Sequence, residues 1–250
     1  MNGRSPQSEL IQTCSVPLMK CRWPDASDFN DCLAEVILSR AKREPGVTIS
    51  NVGGWHSDKN LQHWGDDCIR HLVDHMRGMA LMMTEALYPE YLEQLLDGWH
   101  LEAWANVNGP GSFNRSHDHT ANGNIWSGIY YVKTETPGNR KDPGAGGFTR
   151  LENRSLVPIP FVAGQRQRDH EYTIHPEPGL MVLFPATLRH YVEHYRGYGA
   201  RITVAFNLRH PLFKIPRYED MTEPNWRWRN FRGPMMAYSW AHRLLARLFS

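Results

Sequence analysis

Apolar residues in the first third of the chain recur at the spacing of amphipathic helices. A first helix begins at Ser27 or Asp28 and ends before Pro45, and a second spans residues 66–87. We expect the two helices to pack together, or both to pack against a sheet. The positions predicted to be buried are Phe29, Cys32, Leu33, Val36 and Ile37 in the first helix, and Ile69, Leu72, Val73, Met76, Met79, Ala80, Met83 and Leu87 in the second.

From about Trp99 the pattern changes to short runs of β-branched and aromatic residues separated by turns rich in Gly, Pro and Asn. Short strands without intervening helices favour an antiparallel sandwich or barrel. The predicted fold is therefore mainly β, with N-terminal helices against it. The predicted strands cover residues 101–107, 125–132, 171–174, 180–184 and 201–208, with a further short strand near residues 16–18.

We predict a single domain over residues 1–250 with three regions. Residues 1–98 form a helical region packed on the core, residues 99–212 form the β core, and residues 213–250 form a basic extension with an amphipathic helix. Residues 226–250 contain five arginines and no acid. The extension is expected to dock on the domain or on a second copy in a homodimer. A helix that binds a membrane surface or another partner is the alternative.

Composition excludes several classes of protein. The chain has 28 Lys and Arg against 26 Asp and Glu, a net charge of +2. It therefore lacks the excess of positive charge that is typical of nucleic-acid-binding proteins. The apolar runs are too short for a transmembrane helix, and the first residues do not read as a signal peptide. Four cysteines without a Cys-x-x-Cys pair are typical of a reducing compartment. We expect a cytoplasmic protein whose partner is a small molecule.

Three of the thirteen histidines form a pattern with chemical meaning. His117 and His119, placed just before a predicted strand, are two residues apart and project to one face of an extended backbone. His190 follows the apolar run that ends at Pro185. A close pair and a distant third histidine are typical of a metal site with open coordination positions. A surface loop and a buried, hydrogen-bonded histidine are the structural alternatives.

Arg201 begins a run in which polar and apolar residues alternate. Arg201, Thr203 and Asn207 share one face of the strand, while residues 202, 204 and 206 form the other, apolar face. An arginine that points into a barrel needs a partner, because an unpaired buried charge is costly. A ligand carboxylate held by both arms of the guanidinium is the natural partner, and an acid elsewhere in the chain is the alternative.

Five separated motifs carry a resemblance to a known family. They are Ser-Asn-x-Gly-Gly-Trp-x-Ser at residues 50–57, Asn-x-x-His-x-His at 114–119, Ser-Gly-x-Tyr-Tyr at 127–131, Gly-x-x-x-x-Phe-Pro at 179–185, and, after His190, Arg-x-x-x-x-Phe-Asn at 201–207. In this order they resemble the iron(II)/2-oxoglutarate-dependent oxygenases. The resemblance covers roughly residues 48–210. It implies a double-stranded β-helix core, a jelly roll similar to that of the cupins.

The resemblance also implies an activity and a set of ligands. His117 and His190 would bind iron(II), and Arg201 would bind the distal carboxylate of the cosubstrate 2-oxoglutarate, with O2 as the oxidant. The wider superfamily has His-x-Asp/Glu, whereas His119 occupies the middle position in this chain. We expect a three-histidine centre, since Asp118 faces the opposite side of an extended strand. Asp118 would replace His119 if a bulge bends the chain.

The implied enzyme is a dioxygenase that hydroxylates a small-molecule or amino-acid-like substrate in biosynthesis and releases succinate and CO2. We place Asn106, Thr203 and Tyr131 in the cosubstrate pocket, although alternation does not decide between Tyr130 and Tyr131. Two other classes remain open: a three-histidine cupin dioxygenase without 2-oxoglutarate, and a non-catalytic cupin-like binding protein.

Two further features are interpreted less specifically. Trp55 and His56 in the 50–57 loop are expected to anchor it, with substrate contact as the alternative. Four arginines within residues 150–168 are compatible with a substrate that carries an acidic group. They are equally compatible with solvent-exposed positions in loops. These residues are Arg150, Arg154, Arg166 and Arg168.

Overall fold

Two antiparallel sheets packed in a jelly roll, with two helices against one of them, form the part of the chain that the structure describes. The computed structural model describes residues 7–13 (as backbone), 16–23, 25–135, 144–152 and 171–213. By its contacts the chain divides into Met1–Phe213 and Lys214–Ser250, and the described residues all belong to the first unit. The predicted amphipathic tail lies outside them, as do Arg154, Arg166 and Arg168.

Twelve strands and two α-helices are found in the part of the chain that the structure describes. The helices are α1 (Ser27–Ala41) and α2 (Asp67–Leu87), and short 3-10 turns occur at Leu61–His63, Pro89–Tyr91, Glu93–Leu95 and Ala121–Gly123. The strands are β1 (Gln7–Thr13), β2 (Val16–Arg22), β3 (Asn51–Val52), β4 (Trp55–His56), β5 (His100–Asn108), β6 (Phe113–His117), β7 (Trp126–Lys133), β8 (Thr149–Glu152), β9 (Glu171–Ile174), β10 (Leu180–Pro185), β11 (His190–Val192) and β12 (Arg201–Arg209).

The strand order confirms the predicted double-stranded β-helix class. The larger sheet has seven strands in the order β1-β2-β10-β7-β12-β5-β4, and the smaller has five in the order β3-β6-β11-β8-β9. Long-range pairings dominate, such as β12 between β5 and β7. No described helix is both long enough and apolar enough to cross a membrane.

Alternation along the larger sheet sends its side chains into two separate cores. Tyr130, Val204 and Phe206 pack against α1 and α2 in the first core. Ile129, Tyr131 and neighbouring residues face the smaller sheet in the second core. The period-2 pattern on β12 therefore leaves Arg201, Thr203 and Asn207 between the sheets, as the sequence predicts.

The helices bury slightly different residues from those predicted. Cys32 is exposed, and Asn30 is buried, because the Tyr130 hydroxyl donates a 2.7 Å hydrogen bond to Asn30 Oδ1 at the contact between helix and sheet. Leu87 is only partly buried at the end of α2. A polar residue at helical spacing can therefore be a core position when a buried tyrosine needs an acceptor.

The chain forms strands in places where the sequence predicted loops. The segment with His117 comes before β7, as predicted, but it also ends a strand of its own, β6, which pairs with β3 and β11. Residues 1–98, predicted as a helical region, contain β1, which pairs with β2, and the segment around Arg150, interpreted as a loop, contains β8. Each of these strands is short or flanked by turns, so it depends on a partner distant in sequence and leaves a weak local pattern.

Candidate metal centre and cosubstrate pocket

Three histidines from two strands and a connecting turn converge between the sheets. One ring nitrogen from each of His117, His119 and His190 lies within 4.8 Å of the others. The ring centroids are 4.5 Å apart for His117 and His190, 4.8 Å for His117 and His119, and 5.0 Å for His119 and His190. Among the described residues this is the one group of His, Cys, Asp or Glu close enough to share a metal ion.

Strand pairing positions two members of the cluster, and a turn positions the third. His117 and His190 are Cα partners at the point where β6 pairs with β11. His119 lies beyond the end of β6, so the expected extended His-x-His geometry is not what aligns it. Its backbone N–H donates to the Ala186 carbonyl at 2.9 Å, and this hydrogen bond holds the His119 backbone close to the other two histidines.

Backbone carbonyls orient two of the imidazole rings. His117 Nδ1 lies 2.7 Å from the Arg115 carbonyl oxygen, and His190 Nδ1 lies 3.0 Å from that of Leu188. Because a carbonyl only accepts hydrogen bonds, Nδ1 carries the proton in both rings. The Nε2 lone pairs of His117 and His190 are therefore free, which is the tautomer that histidine metal ligands usually adopt.

His119 is held by a side chain rather than by a carbonyl. Its Nδ1 lies 3.5 Å from Asn207 Nδ2, and the same amide nitrogen donates to Glu102 Oε1 at 2.7 Å. Asn207 closes the Arg-x-x-x-x-Phe-Asn motif. The end of that motif therefore reaches the histidine cluster directly, a contact that spacing along the chain did not predict.

Burial keeps the cluster neutral. Desolvation is the largest cause of the lowered pKa of all three histidines, and repulsion from neighbouring histidines lowers the pKa of His119 and His190 further. The pKa of His119 falls to about 2 and that of His190 to about 3. A metal ion would consequently meet three imidazoles that need not lose a proton at neutral pH.

Asp118 is turned towards other partners. Its Oδ1 accepts hydrogen bonds from the Thr120 hydroxyl at 2.8 Å and the Thr120 N–H at 3.3 Å, while Oδ2 lies 3.8 Å from Arg189 Nη1. These contacts lower the pKa of Asp118, with the Thr120 hydroxyl as the largest cause. The carboxylate is not one of the three groups that could share a metal ion.

Arg201 is a buried cation with no acidic partner among the described residues. The residue is 1% exposed, and its Nε and Nη2 have no hydrogen-bond partner among the described residues. Its guanidinium carbon lies 5.4 Å from the centroid of the Tyr131 ring. Unpaired N–H groups of a buried guanidinium are costly, so this arrangement fits a ligand with a carboxylate.

Small and aromatic neighbours shape the space around Arg201. Gly147 has φ +67°, and a Cβ placed on it would lie 3.0 Å from Arg201 Cδ and 3.1 Å from Nε. The Tyr131 hydroxyl shares a 2.7 Å hydrogen bond with Thr149 Oγ1. Tyr131 is thus the tyrosine on the inner side, since Tyr130 bonds Asn30 in the other core.

One cavity of about 440 Å³ joins the histidine cluster to Arg201. It is also lined by Asn106 and Thr203, which the sequence analysis placed in the cosubstrate pocket. Tyr131, placed there too, contacts Arg201 and does not line the cavity. Sequence reasoning did not single out several of the other lining residues. These include Lys59, Trp104, Arg115, Thr149 and Phe184.

Trp55 and His56 have different environments. Trp55 Nε1 donates to the Glu44 carbonyl at 2.9 Å, as expected of an anchor. His56 is buried, lines the cavity and stacks on Trp104, with ring centroids 5.7 Å apart and an interplanar angle of 11°. Its Nδ1 lies 2.6 Å from the Ser57 carbonyl, so its Nε2 carries the lone pair.

Comparisons with known proteins agree with the fold. Residues 102–207 match the family described as "Putative 2OG-Fe(II) oxygenase". A search of curated protein sequences found no match. Solved structures share the fold, although all those compared below are under 25% identical to this chain.

A prolyl-4-hydroxylase from Pseudomonas putida is 17% identical, with a TM-score of 0.54 over 77% of this chain and 92% of its own. The iron-bound HygX of Streptomyces hygroscopicus is 11% identical, with a TM-score of 0.51 over 80% and 84%. The α-ketoglutarate-dependent epimerase SnoN is 13% identical, with a TM-score of 0.52 over 76% of each chain.

The matched residues begin in β5, which carries Asn106, and end in β12, which carries Arg201. They therefore include all three clustered histidines. The description of that family names 2-oxoglutarate and iron(II). Residues 102–207, less than half of the chain, are thus similar to the 2OG-Fe(II) oxygenase family.

Proposed function

We propose that the protein is an oxygenase that couples 2-oxoglutarate and O2 to the hydroxylation of an unactivated C–H bond in a small-molecule or amino-acid-like substrate. One observation carries the proposal: three neutral imidazoles and a buried guanidinium with two unbonded nitrogens line the same cavity. The first group fits a metal ion, and the second fits a carboxylate.

Iron(II) would be held by His117, His119 and His190. Imidazole suits iron, and the Nδ1 hydrogen bonds of His117 and His190 leave Nε2 as the donor atom. Three protein ligands leave open positions for other groups. The engagement of Asp118 with Thr120 and Arg189 supports His119 rather than Asp118 as the middle ligand.

This ligand set would favour a dianionic cosubstrate. A centre with three neutral histidines retains one more unit of positive charge than a centre with two histidines and a carboxylate, which strengthens its attraction for 2-oxoglutarate. Arg201 would bind the distal carboxylate through Nε and Nη2. Asn106 and Thr203 line the same cavity and would complete the cosubstrate pocket.

When bound, iron(II) and 2-oxoglutarate supply the oxidising chemistry with O2, and the cosubstrate leaves as succinate and CO2. The residues of the chain would bind and orient the metal ion and the cosubstrate. The His117 and His190 rings are fixed by their carbonyl bonds, and Arg201 is fixed by the wall that Gly147 and Tyr131 form. Apolar Ile129 and Phe184 border the cavity and exclude water from that side.

Turnover without an added substrate tests the proposal. Purified protein with iron(II), O2 and 2-oxoglutarate is expected to release succinate, measured by mass spectrometry against a metal-free control. Arg201→Met should weaken 2-oxoglutarate binding by about 2–5 kcal/mol, because the cosubstrate carboxylate would lose its charged partner. Arg209→Met, at the exposed end of the same strand, should behave as the wild type.

Two outcomes would favour other functions. O2 uptake that depends on iron but not on 2-oxoglutarate indicates a three-histidine dioxygenase of another type. Protein that retains no metal, together with a His190→Ala variant that is indistinguishable from the wild type, indicates a non-catalytic binding protein.

A further inference from the structure

His56 is a buried polar residue at the cavity that the proposed chemistry does not use. It lines the cavity, although only 3% of the residue is exposed. His56 is not a member of the histidine cluster that could share a metal ion. It belongs to the Ser-Asn-x-Gly-Gly-Trp-x-Ser motif at residues 50–57, to which the proposed function assigns no task.

The hydrogen bonds of the His56 ring leave one of its nitrogens as an unused acceptor. Nδ1 lies 2.6 Å from the Ser57 carbonyl oxygen, so Nδ1 carries a proton. Burial lowers the pKa of the ring below its ordinary value of 6.5, which leaves the second nitrogen, Nε2, unprotonated at neutral pH. Nε2 has no hydrogen-bond partner among the described residues. A buried acceptor without a donor is costly, so this lone pair fits a ligand that donates an N–H or O–H.

The motif around His56 holds the ring in a fixed position. The neighbouring Ser57 exchanges two hydrogen bonds with Ala105: its N–H donates to the Ala105 carbonyl at 3.0 Å, and its Oγ accepts the Ala105 N–H at 2.9 Å. Gly54 has φ +70°, and a Cβ placed on it would lie 2.8 Å from the Val107 carbonyl oxygen. The glycine therefore lets the segment approach β5 closely. A ring fixed in advance loses little freedom when a ligand binds.

The strand order separates His56 from the guanidinium proposed to bind the cosubstrate. Thr203, on the same strand as Arg201, is the Cα partner of Asn106 on β5, and Asn106 is the Cα partner of His56 on β4. Because neighbouring strands lie about 4.8 Å apart, His56 is roughly 10 Å from β12 across the sheet. The proposed ligands of 2-oxoglutarate therefore leave the His56 acceptor to another molecule.

One aromatic ring connects His56 to the histidine cluster. The Trp104 ring stacks on His56, with centroids 5.7 Å apart and an interplanar angle of 11°, and its centroid lies 5.5 Å from that of His119. Trp104 also lines the cavity. A group bound at His56 Nε2 would consequently lie on the metal side of the cavity, where a substrate has to bind.

The charges near this ring favour an uncharged donor. Lys59 Nζ lies 4.9 Å from the Trp104 ring centroid, and a bound metal ion would add further positive charge, so a cationic donor would be repelled. Arg150, which the sequence associated with an acidic substrate group, does not line the cavity, and its Nη2 lies 2.6 Å from Glu193 Oε1. A neutral N–H or O–H therefore fits the His56 side of the cavity better than an ammonium group.

From this arrangement we infer that the substrate carries a neutral hydrogen-bond donor, an amide N–H or a hydroxyl, which it donates to His56 Nε2. This inference rests on the proposed oxygenase function and names a chemical class for its substrate. The hydrogen bond orients the substrate beside Trp104, one ring away from His119. His56 would thus determine specificity, because an analogue with a methyl group in place of the donated hydrogen leaves the buried acceptor unpaired.

Nitrogen NMR of histidine-labelled protein tests the hydrogen bond directly. The wild type is loaded with diamagnetic zinc(II) and 2-oxoglutarate, and is titrated with N-methylacetamide, isopropanol and their methylated partners, N,N-dimethylacetamide and isopropyl methyl ether. An unprotonated imidazole nitrogen moves upfield when it accepts a hydrogen bond. The His56 Nε2 resonance, assigned by its absence in His56→Gln, is expected to move with a donor probe and not with its methylated partner. The donor probe that gives the larger shift identifies the group as an amide or a hydroxyl.

Variants separate the acceptor from the rest of the ring. Manganese(II) in place of zinc(II) broadens the proton resonances of probes that bind near the metal, and so gives their affinities. His56→Phe should reduce the preference for a donor probe over its methylated partner by about tenfold, because the ring stays stacked without its lone pair. His56→Gln should restore part of the preference, since its amide oxygen accepts hydrogen bonds. His100→Phe, exposed on β5 and outside the cavity lining, is the control and should keep the wild-type preference.

Several results would overturn the inference: a His56 Nε2 resonance that no donor probe moves, equal movement with the methylated partners, or an unchanged preference in the His56 variants. Tighter binding of isopropylammonium than of isopropanol would contradict the neutral donor. The nitrogen measurement uses the wild type, so it remains decisive if His56→Phe does not fold.

The affinity for 2-oxoglutarate, measured separately by calorimetry, distinguishes the inference from the function on which it rests. His56→Gln should bind 2-oxoglutarate as the wild type does, and an equal loss of cosubstrate and probe binding would assign His56 to the cosubstrate pocket instead. If the wild type binds no 2-oxoglutarate, the proposed function itself fails, whatever the His56 resonance shows.

Discussion

His117 and His190 are direct partners across two antiparallel strands, and their rings meet at 4.5 Å between centroids. The β6–β11 pairing therefore builds two thirds of the proposed metal centre. The same smaller sheet includes β8, whose Thr149 bonds the tyrosine beneath Arg201. The smaller sheet thus positions residues on both the metal side and the cosubstrate side of the cavity.

Removal of His190 tests its role as a metal ligand. His190→Ala should lower iron affinity by at least about tenfold, since it removes one of three donors. His194→Ala is the matched control on the same segment, because His194 is exposed and packs on Phe113. Iron per chain after anaerobic loading, measured by elemental mass spectrometry, decides the matter. Equal iron in the two variants would show that His190 is not a ligand.

The identity of the middle ligand can be tested by a pair of variants. His119→Ala should lose iron, whereas Asp118→Asn should keep it, because Asp118 is bonded to Thr120 and faces Arg189. Iron stoichiometry and thermal denaturation of both variants are the measurements. The reverse result, with iron lost only in Asp118→Asn, would assign the carboxylate as the ligand and refute the three-histidine centre.

Gly147 should control the position of Arg201. In Gly147→Ala the new Cβ would lie about 3 Å from the Arg201 side chain, and the positive φ would strain the backbone. We expect about 1–2 kcal/mol lower free energy of unfolding and about tenfold weaker 2-oxoglutarate binding. Gly109→Ala, with nothing within 4 Å of its Cβ, is the control. Calorimetry of both variants checks this, and unchanged binding in Gly147→Ala would contradict it.

His75 should make stability depend on pH. Its ring stacks on Trp23 at 4.5 Å, and burial lowers its pKa below the ordinary value of 6.5. Below pH 6.5 the unfolded chain therefore binds more protons than the folded chain, so stability falls as the pH falls. The slope contributed by one such group is at most about 1.4 kcal/mol per pH unit.

Urea denaturation of metal-free protein between about pH 7.5 and 5.5 measures this slope. His75→Phe keeps a stacked ring without a titrating group, so its curve should be flatter than that of the wild type. His63→Gln, an exposed histidine at the end of the Leu61–His63 turn, should leave the slope unchanged. A wild-type slope in His75→Phe would contradict the prediction.

The fold class was predictable because periodicity acts locally. The alternation on β12 placed Arg201 and Thr203 on the inner face and Val204 on the outer face, and the structure has them there. The helices were equally predictable from their apolar spacing. What the sequence did not specify was β3, β4 and β8, whose two to four residues are held by partners far along the chain.

The histidine cluster was predicted from spacing and resemblance, but its geometry was not. The sequence assumed an extended His117–His119 segment, whereas the Ala186 carbonyl brings His119 round after the strand ends. The pairing of His117 with His190 had no local pattern either, since it depends on the register between β6 and β11. Such features depend on tertiary contacts, which single-sequence periodicity does not encode.

An anaerobic titration of the iron(II)-loaded protein with 2-oxoglutarate tests the central claim most directly. The chelate of iron(II) with the keto acid absorbs visible light, so absorbance reports binding at the metal. The wild type should saturate at one equivalent per chain, and Arg201→Met should retain iron but require at least about tenfold more 2-oxoglutarate. No visible absorbance in the wild type, or equal affinity in Arg201→Met, would contradict the account.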